Sequence, residues 1–413
     1  MSLGSGGSRH QMSNRRNFAL SSAADLLTTA ASFGTGVLVA RILGPEDRGI
    51  YSFVTATGAV VAYLAGMGLF EALLAKGRRP TTGVLWLAAG LGVVGAVVMF
   101  VVGAVRSEPM LQLYSPLPII WGLLQVRLAH ARITGRAAWF WLRVIAPALQ
   151  LVTTLVLVAA GHLTVASAIA ALLVGFTLAV VVDVLLARRQ PAPAGACELA
   201  GQERALLRSG MHQHLLNVPR SLNYRGPLIM LGFLATNQDL GLYAVAGSVA
   251  SLIPILTWSI PQNLLAMRSA KDSAASRVSR QLVVLSWLSG AIGGTAALLL
   301  GEEVLTLVYG SAFIPAVTGF VILTFAQAPW LHSSVVQADY RADGRAHVAA
   351  VIEVVSLVVT LALIALLYPT YGITGVASSV AAGYVLSAVL TQSLRHRSAS
   401  TGAPTPAETA VSR

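Results

Sequence analysis

The first polar interruption of the chain reads ARILGPEDRGIY at residues 40–51, and it separates the first two long apolar runs. A related stretch, LGFLATNQDLGLY at residues 231–243, separates two later apolar runs. Both stretches contain Leu-Gly followed by Asp-x-Gly-x-Tyr, and the matching glycines, Gly49 and Gly241, lie about 192 positions apart. This spacing indicates that the second half of the chain repeats the first.

Two further matches support an internal repeat. ARITGRA at residues 131–137 resembles YRADGRA at residues 340–346, at an offset of 209. LTVASAIAA at residues 163–171 resembles ITGVASSVA at residues 373–381, at an offset of 210. Three matches in the same order and at a nearly constant offset predict a duplicated chain.

The composition predicts a polytopic membrane protein. Hydrophobic residues make up 55% of the 413 residues and charged residues only 11%, against about 25% charged in soluble domains. Apolar runs long enough to cross a bilayer recur along the whole chain. We predict twelve transmembrane helices in two sets of six, at residues 17–40, 50–75, 83–105, 110–130, 138–160 and 165–187, then 209–235, 240–267, 281–300, 313–336, 347–367 and 373–393.

The distribution of basic residues predicts the orientation. Of the 28 Lys and Arg side chains, 22 lie on the side of the N-terminus. Three lie on the opposite side: Arg41, Arg48 and Arg106. The last three lie inside the spans: Arg143, Arg220 and Arg225. The positive-inside rule then places both termini in the cytoplasm, and we expect a multi-pass protein of the cell membrane. The formal charge of +12 is explained by these cytoplasmic loops, so we expect no nucleic-acid partner.

An even number of spans in each half makes the halves parallel repeats, related by an axis along the membrane normal. We therefore predict an all-α fold of two six-helix lobes around a central cavity. The predicted organisation is a disordered cytoplasmic tail, an N-terminal lobe, a cytoplasmic linker, a C-terminal lobe and a second disordered cytoplasmic tail, at residues 1–16, 17–187, 188–208, 209–394 and 395–413.

Arg220 is the most informative candidate for a binding site. It lies about 11 residues into the seventh span, or roughly 17 Å from its start, and an Arg at that depth normally faces a cavity or a partner. Asn217 and Asn223 fall on the same side of an ideal helix. A guanidinium suits a phosphate group because its planar fork bonds two oxygens at once. We predict that Arg220, with Arg225, Asn217 and Asn223, holds an anion; the alternative is an internal ion pair.

Two acidic residues and a further arginine complete the set of candidates. Asp25 and Glu71 lie inside the first two spans, where each could couple transport to a proton or simply pair with a buried Arg. Arg143 lies only about five residues into its span, so it could bind substrate or extend to the interface. We favour the ion-pair role for the two carboxylates and leave both roles of Arg143 open.

Other kinds of site are not indicated. A single cysteine, Cys197, excludes an intramolecular disulfide and a cysteine-based metal site. The sequence contains no phosphate-binding glycine loop, no His-Glu metal motif and no nucleophile elbow. We therefore expect no enzyme activity, no catalytic residue, no cofactor and no metal.

The motif at residues 40–51 resembles the Ala-Arg-x-Leu-Gly-Pro-x-x-Arg/Phe-Gly-x-Tyr signature of the polysaccharide-export flippases, within the multidrug/oligosaccharidyl-lipid/polysaccharide exporter superfamily. The resemblance covers about residues 15–395. It implies a transporter that moves polyprenyl-diphosphate-linked oligosaccharides outward by alternating access. It also implies that Arg220, Arg225 and Arg143 hold the diphosphate.

The expected partners follow from this resemblance. They are the lipid-linked oligosaccharide, membrane lipid, and possible contacts with a polysaccharide polymerase and glycosyltransferases. Two alternatives stay open at this point. One is a cation-coupled drug exporter of the same superfamily, which would need acids rather than arginines at mid-depth. The other is a non-transporting membrane scaffold that docks glycosyltransferases.

Overall fold

The protein is built almost entirely from helices. The structure, a computed structural model, describes residues 6–77, 79–134, 138–188, 203–252 and 275–400. A 3-10 helix at Ser311–Ala316 connects the tenth and eleventh α-helices. The α-helices are α1 Gly6–Ala65, α2 Leu69–Lys76, α3 Thr82–Val105, α4 Pro109–Tyr114, α5 Leu117–Ile133, α6 Ala138–Ala159, α7 Val165–Arg188, α8 Glu203–Leu234, α9 Asn237–Ala250, α10 Ala275–Tyr309, α11 Val317–Ala342 and α12 Ala346–Ser400.

Two of these helices contain two membrane spans each. The apolar part of α1 has 43 residues and that of α12 has 50, so each is about 65–75 Å long if straight, roughly twice the hydrocarbon thickness. Gly44, with φ 81°, interrupts α1 just before Pro45, and Gly372, with φ 53°, interrupts α12 just after Pro369. The left-handed φ is open to glycine at little cost, so each glycine divides its helix into two spans.

The described helices agree with the predicted fold class. Seven of them are long and apolar enough to cross a membrane, and because α1 and α12 count twice they account for nine spans. The other three predicted spans correspond to α4 together with α5, to α8, and to the start of α9. The span predicted at 240–267 continues past α9 into residues 253–274, which lie outside the described residues. The prediction of an all-α polytopic protein with about twelve helices is confirmed.

The second predicted span, at residues 50–75, is not one continuous helix. Helix α1 ends at Ala65 and α2 begins at Leu69. Between them Met67 and Gly68 have φ of 48° and 67°, a backbone conformation that ends a right-handed helix. The prediction of an unbroken span is wrong because hydropathy stays high across this break and does not report backbone angles.

The helices extend beyond the predicted ends in three places. Helix α1 begins at Gly6, α8 begins at Glu203 inside the predicted linker, and α12 continues to Ser400. Residues 6–16 and 395–400, for which we predicted disordered tails, are helical in the structure. No proline separates these residues from the adjoining spans, so an existing helix can extend one residue at a time without a new nucleus. Residues 189–202 of the linker, with Cys197, and residues 401–413 lie outside the described residues.

The chain packs into two compact units whose boundaries differ from those of the sequence repeat. The first unit comprises Met1–Val245 and Glu303–Pro315, and the second comprises Ala246–Glu302 and Ala316–Arg413. The first unit thus includes α8, the start of α9 and the end of α10. The two six-helix lobes remain a prediction from the repeat.

Helix α3 shows how the first unit separates its core from its outer surface. Val84 and Ala88 of α3 pack into a cluster with Leu73 of α2, Val126 of α5 and Leu206 of α8. The other side of α3 exposes a row of aliphatic side chains, at 47–63% of their surface: Val93, Val94, Val97, Val98 and Val101. Apolar exposure of this extent along one helix is expected of a face in contact with lipid.

Candidate functional site

Helix α8, which carries the principal candidates, lies antiparallel to the second half of α1. Near the start of α8 the ring of His214 lies 4.6 Å from that of Tyr63. Near its end the ring of Phe233 lies 5.7 Å from that of Phe53 in an edge-to-face arrangement. The two helices run in opposite directions, so residues 215–232 of α8 lie beside residues 54–62 in the second half of α1.

Glycines allow the two helices to approach closely at both ends. A Cβ atom on Gly210 would lie 2.8 Å from the carbonyl oxygens of Met67 and Gly68, in the break after α1. At the other end, a Cβ atom on Gly232 would overlap the ring of Phe53. The close packing fixes the position of α8 along α1, and with it the depth of the polar residues that α8 carries.

Arg220 lies near the middle of α8, and two asparagines flank it. At about 100° per residue, Asn217 and Asn223 lie roughly 60° to either side of Arg220. Asn223 is buried, with 4% of its surface exposed, while Asn217 and Arg220 are half-buried. The helix therefore presents a guanidinium between two amides, which together can donate several hydrogen bonds to one anion.

Two prolines add polar backbone to the same part of α8. Pro219 and Pro227 lie inside the helix and have no N–H, so the carbonyls one turn earlier, of Leu215 and Asn223, lose their usual partner. At membrane depth such carbonyls are tolerated where protein or water satisfies them. The middle of α8 is therefore suited to a polar surrounding and not to lipid.

Arg225 lies on a different face of α8 from Arg220. The two are five residues apart, or about 140° around the helix, whereas Arg225 shares a face with His214 and Gly232, which contact α1. The guanidinium carbon of Arg225 lies 5.9 Å from the centre of the neighbouring Tyr224 ring. Arg225 thus lies on the face of α8 toward α1, and α8 does not bring the two arginines onto one surface.

Asp25 and Arg143 form a salt bridge in the first unit. Each side chain is about 30% exposed, and the hydroxyl of Thr28 donates to the main-chain carbonyl of Arg143 at 3.1 Å. Of the roles considered for Asp25, the structure contains the ion pair, with Arg143 as its partner. The charge of Arg143 is balanced by this carboxylate, and its role in binding substrate stays a prediction.

Glu71 lies in the first turn of α2, directly after the break at residues 66–68. A carboxylate at the start of a helix interacts favourably with the free N–H groups and with the positive end of the helix dipole. The side chain is half-buried. This position gives Glu71 a structural role, and a coupling role remains a prediction.

The sequence predicts Arg48 on the side of the membrane opposite the N-terminus, and the structure adds where its side chain lies. The side chain is buried, with 7% exposed, and its guanidinium carbon lies 5.5 Å from the centre of the Tyr51 ring. The amide of Gln150 donates to the Tyr51 hydroxyl at 2.7 Å. A Cβ atom on Gly36 would lie 3.3 Å from the guanidinium. The side chain extends from the hinge back toward the first half of α1, which a count of loop charges cannot predict.

The second unit contains a buried polar network that the sequence did not indicate. The hydroxyls of Ser333 and Ser387 lie 2.7 Å apart. The amide of Gln337 donates to Ser333 at 2.9 Å and to the carboxylate of Glu353 at 2.8 Å. The network joins α11 to both halves of α12. Serines at single helical positions are common, so only their convergence in three dimensions reveals it.

The two copies of the repeated motif contact each other. A Cβ atom on Gly49 would overlap the carbonyl oxygen of Asn237 and lie 3.0 Å from the amide nitrogen of Gly241. A Cβ atom on Gly241 would overlap the carbonyl oxygen of Pro45 and lie 3.0 Å from the amide nitrogen of Gly49. The two contacts are reciprocal, as expected where equivalent segments of a duplicated chain meet about a two-fold axis.

The fold is shared with transporters of known structure. The chain matches an inward-facing multidrug resistance MATE family transporter of the MOP superfamily with a TM-score of 0.73 and 13% identity, over 91% of this chain and 96% of that one. It matches the lipid II flippase MurJ in an inward closed conformation with a TM-score of 0.70 and 12% identity, over 90% of this chain and 86% of that one. It also matches a MOP superfamily transporter from Pyrococcus furiosus with a TM-score of 0.65 and 15% identity, over 91% of this chain and 93% of that one.

The sequence family is established by a separate comparison. No curated protein sequence matches the chain significantly. The profile of the family described as polysaccharide biosynthesis protein matches residues 38–318, which is well over half of the chain and includes both copies of the repeated motif. The resemblance drawn from residues 40–51 is therefore confirmed: this chain, with the fold of the MOP-superfamily transporters, belongs to the polysaccharide biosynthesis protein family.

Proposed function

We propose that this protein flips polyprenyl-diphosphate-linked oligosaccharide units from the cytoplasmic to the outer leaflet, for the synthesis of a cell-surface polysaccharide. The observation that carries the proposal is the position of Arg220, half-buried midway along a membrane helix between Asn217 and Asn223, in a chain of the polysaccharide biosynthesis family. The cycle is alternating access, in the cell membrane and with both termini in the cytoplasm.

Arg220 and its flanking amides receive the diphosphate. A diphosphate linkage carries about two negative charges, and a guanidinium can bond two of its oxygens at once. Arg225, on the face of α8 toward α1, acts as a second cationic position, and Arg143 would need to leave Asp25 to take part. The glycan stays in the aqueous space and the lipid tail stays in the bilayer.

The membrane potential supports outward movement of this cargo. Moving one elementary charge through 100 mV is worth about 2.3 kcal/mol. For two negative charges leaving a negative interior, the gain is roughly 4–5 kcal/mol at that potential. Outward transport of a diphosphate is thus favourable by itself, and Asp25 or Glu71 would matter only for the return of the empty carrier. A polymerase and glycosyltransferases are the expected partners at the two membrane surfaces.

The proposal is tested by complementation of a deletion strain with Arg220→Ala. Mass spectrometry would quantify the lipid-linked glycan in the cytoplasmic leaflet. Arg220→Lys is the conservative variant. Arg280→Ala, at an exposed arginine of α10, is the control. We expect glycan to accumulate with Arg220→Ala at normal protein levels, partial rescue by Lys, and no effect of Arg280→Ala. Normal export by Arg220→Ala would contradict the anion role.

The second candidate is a cation-coupled drug exporter, favoured by the fold match to a multidrug transporter. It predicts uptake of cationic dyes into inverted membrane vesicles. An arginine in the middle of α8 opposes a cationic substrate, so we expect no such uptake. Dye transport that Arg220→Ala leaves intact would replace the flippase proposal.

A further inference from the structure

Two exposed arginines at one end of the first unit hold the ends of two later helices. Arg41 donates from Nη1 to the main-chain carbonyl of Leu307 at 2.7 Å. Arg106 donates from Nη2 to the carbonyl of Gly232 at 2.8 Å, and its guanidinium lies 4.5 Å from the centre of the Phe233 ring. Both arginines belong to the first half of the sequence, and both carbonyls belong to the second half.

The carbonyls lie in the last turns of their helices. Helix α8 ends at Leu234 and α10 ends at Tyr309. Carbonyls in a last helical turn lack an intrahelical donor and carry the negative end of the helix dipole. A guanidinium is the expected partner for such a group, so each contact fastens one helix end to α1 or to the segment after α3.

The same end is closed by packing as well as by hydrogen bonds. Gly49 and Gly241 meet there with no room for a Cβ atom on either, and the rings of Phe53 and Phe233 meet edge to face. Opening this end therefore requires the arginine contacts and the glycine contact to separate together.

An anion would compete with the carbonyls for both arginines. A carbonyl is neutral and accepts through one oxygen, whereas a phosphate group is charged and offers two oxygens to one guanidinium, the stronger arrangement. Because both side chains are exposed, the exchange requires little desolvation. We propose that Arg41 and Arg106 are a latch that keeps this end closed, and that the diphosphate of the cargo releases it by replacing the carbonyls as their partner. The identity of the cargo rests on the proposed function, but the latch does not.

A buried reporter thiol tests the latch. Cys197 is the only cysteine, so Cys197→Ala gives a cysteine-free chain into which Ser52→Cys is placed. Ser52 is 4% exposed and lies one turn after Gly49. In nanodiscs, the rate of labelling by a charged maleimide then measures how often this end opens.

Loss of either arginine contact is expected to speed labelling. Arg41→Gln and Arg106→Gln each remove a charged donor, and we expect an increase of about threefold or more. Arg280→Gln, at an exposed arginine of α10, is the matched control and should leave the rate unchanged. Unchanged rates in both latch variants would overturn the latch.

A glycine pair on α9 gives a second test that leaves both arginines in place. Gly241→Ala adds a methyl group that overlaps the carbonyl of Pro45, whereas nothing lies within 4 Å of a Cβ atom on Gly247. We expect Gly241→Ala to speed labelling of the reporter and Gly247→Ala to leave it unchanged. Equal rates for the two would show that this contact does not hold the end closed.

Inorganic pyrophosphate tests the release. It should speed labelling when both arginines are present and lose that effect in the double variant Arg41→Gln/Arg106→Gln, while chloride at equal ionic strength should have little effect. If pyrophosphate does not change the rate, the anion does not release the latch. Because this readout uses no glycan, a failure here is distinct from normal export by Arg220→Ala, which would contradict the proposed function.

Discussion

The two compact units satisfy their buried polar groups with different chemistry. The first unit buries charges: Arg48 is 7% exposed, and Arg127 donates to Asp183, whose side chain is 1% exposed. The second unit relies mainly on neutral groups, with Ser333, Ser387 and Thr391 linked by hydroxyl contacts. An ion pair of the second unit, between Asp339 and Arg395 at 3.4 Å, involves a more exposed arginine.

The difference shows that one membrane chain can stabilise buried polar groups in two ways. A buried charge costs more to desolvate than a buried hydroxyl, and the surrounding protein must compensate for it. The second unit holds α11 against α12 mainly with hydroxyl and amide groups, and Gln337 also donates to the carboxylate of Glu353. In the first unit the ion pair of Arg127 and Asp183 joins α5 to α7.

The buried pair in the first unit gives the largest expected effect. Arg127→Ala leaves the carboxylate of Asp183 without its guanidinium, and we expect a loss of about 3–5 kcal/mol in the free energy of unfolding. Tryptophan fluorescence during denaturation in mild detergent would measure it. The double variant Arg127→Met/Asp183→Leu should recover most of the loss. A loss below about 1 kcal/mol in the single variant would show that the pair behaves as an exposed one.

Gln337 tests the neutral network where it meets a carboxylate. Gln337→Leu keeps the volume but removes the amide that donates to Glu353 and Ser333. Because the Glu353 carboxylate loses a donor, we expect a loss of about 1–3 kcal/mol, measured in the same assay. Gln337→Glu is a second variant at the same position. It places a second carboxyl group beside Glu353, so it should destabilise the protein more at pH 8, where like charges repel, than at pH 5. Equal stability at both pH values would contradict this arrangement.

Ser333→Ala tests the network where it is wholly neutral. The hydroxyl contacts Ser387 at 2.7 Å and Thr391 at 3.3 Å. Without it, Thr391 still donates to the main-chain carbonyl of Ser387 at 2.6 Å, and the Ser387 hydroxyl still accepts from Gln337 at 3.5 Å. We expect a loss of about 1 kcal/mol, measured by the shift of the unfolding transition. A loss as large as that of Arg127→Ala would remove the contrast between the two units.

Asp25→Asn should have the smallest effect on stability, although it also removes a charge from the first unit. The pair with Arg143 is about 30% exposed on both sides, and exposed pairs contribute about 0–1 kcal/mol. The variant leaves Arg143 without the carboxylate, so glycan export should change while the unfolding transition moves little. Unchanged export would argue against a transport role for either residue, and Arg143→Gln provides the companion measurement.

The span pattern could be predicted from the sequence because it depends on local composition. Gly44 with Pro45, and Gly372 after Pro369, mark both interruptions of the long helices at positions where hydropathy also falls. The break at Met67 could not be predicted in this way. The chain stays apolar there, and its positive φ is stabilised by packing against Gly210, which lies far away in sequence.

The site was predicted only in part, for a similar reason. The depth of Arg220 follows from counting along one helix, so the sequence could locate it. The partners of Asp25 and Asp183 are 118 and 56 residues away, and only the packing of helices brings them together. The burial of Arg48 was not predicted, because its position in a polar hinge does not show that its side chain is directed into the protein.

The discontinuous first unit has a consequence for biosynthesis. Its last piece, Glu303–Pro315, is separated from Val245 by a stretch of the second unit, and Leu307 follows its partner Arg41 by 266 residues. At about 5–20 residues per second, a ribosome needs roughly 4–14 s to synthesise the chain from residue 245 to residue 315. During that interval the first unit lies in the membrane without the end of α10. Any chaperone or insertase that shields a nascent intermediate of this protein should therefore meet Arg41 while its carbonyl partner has not yet been made.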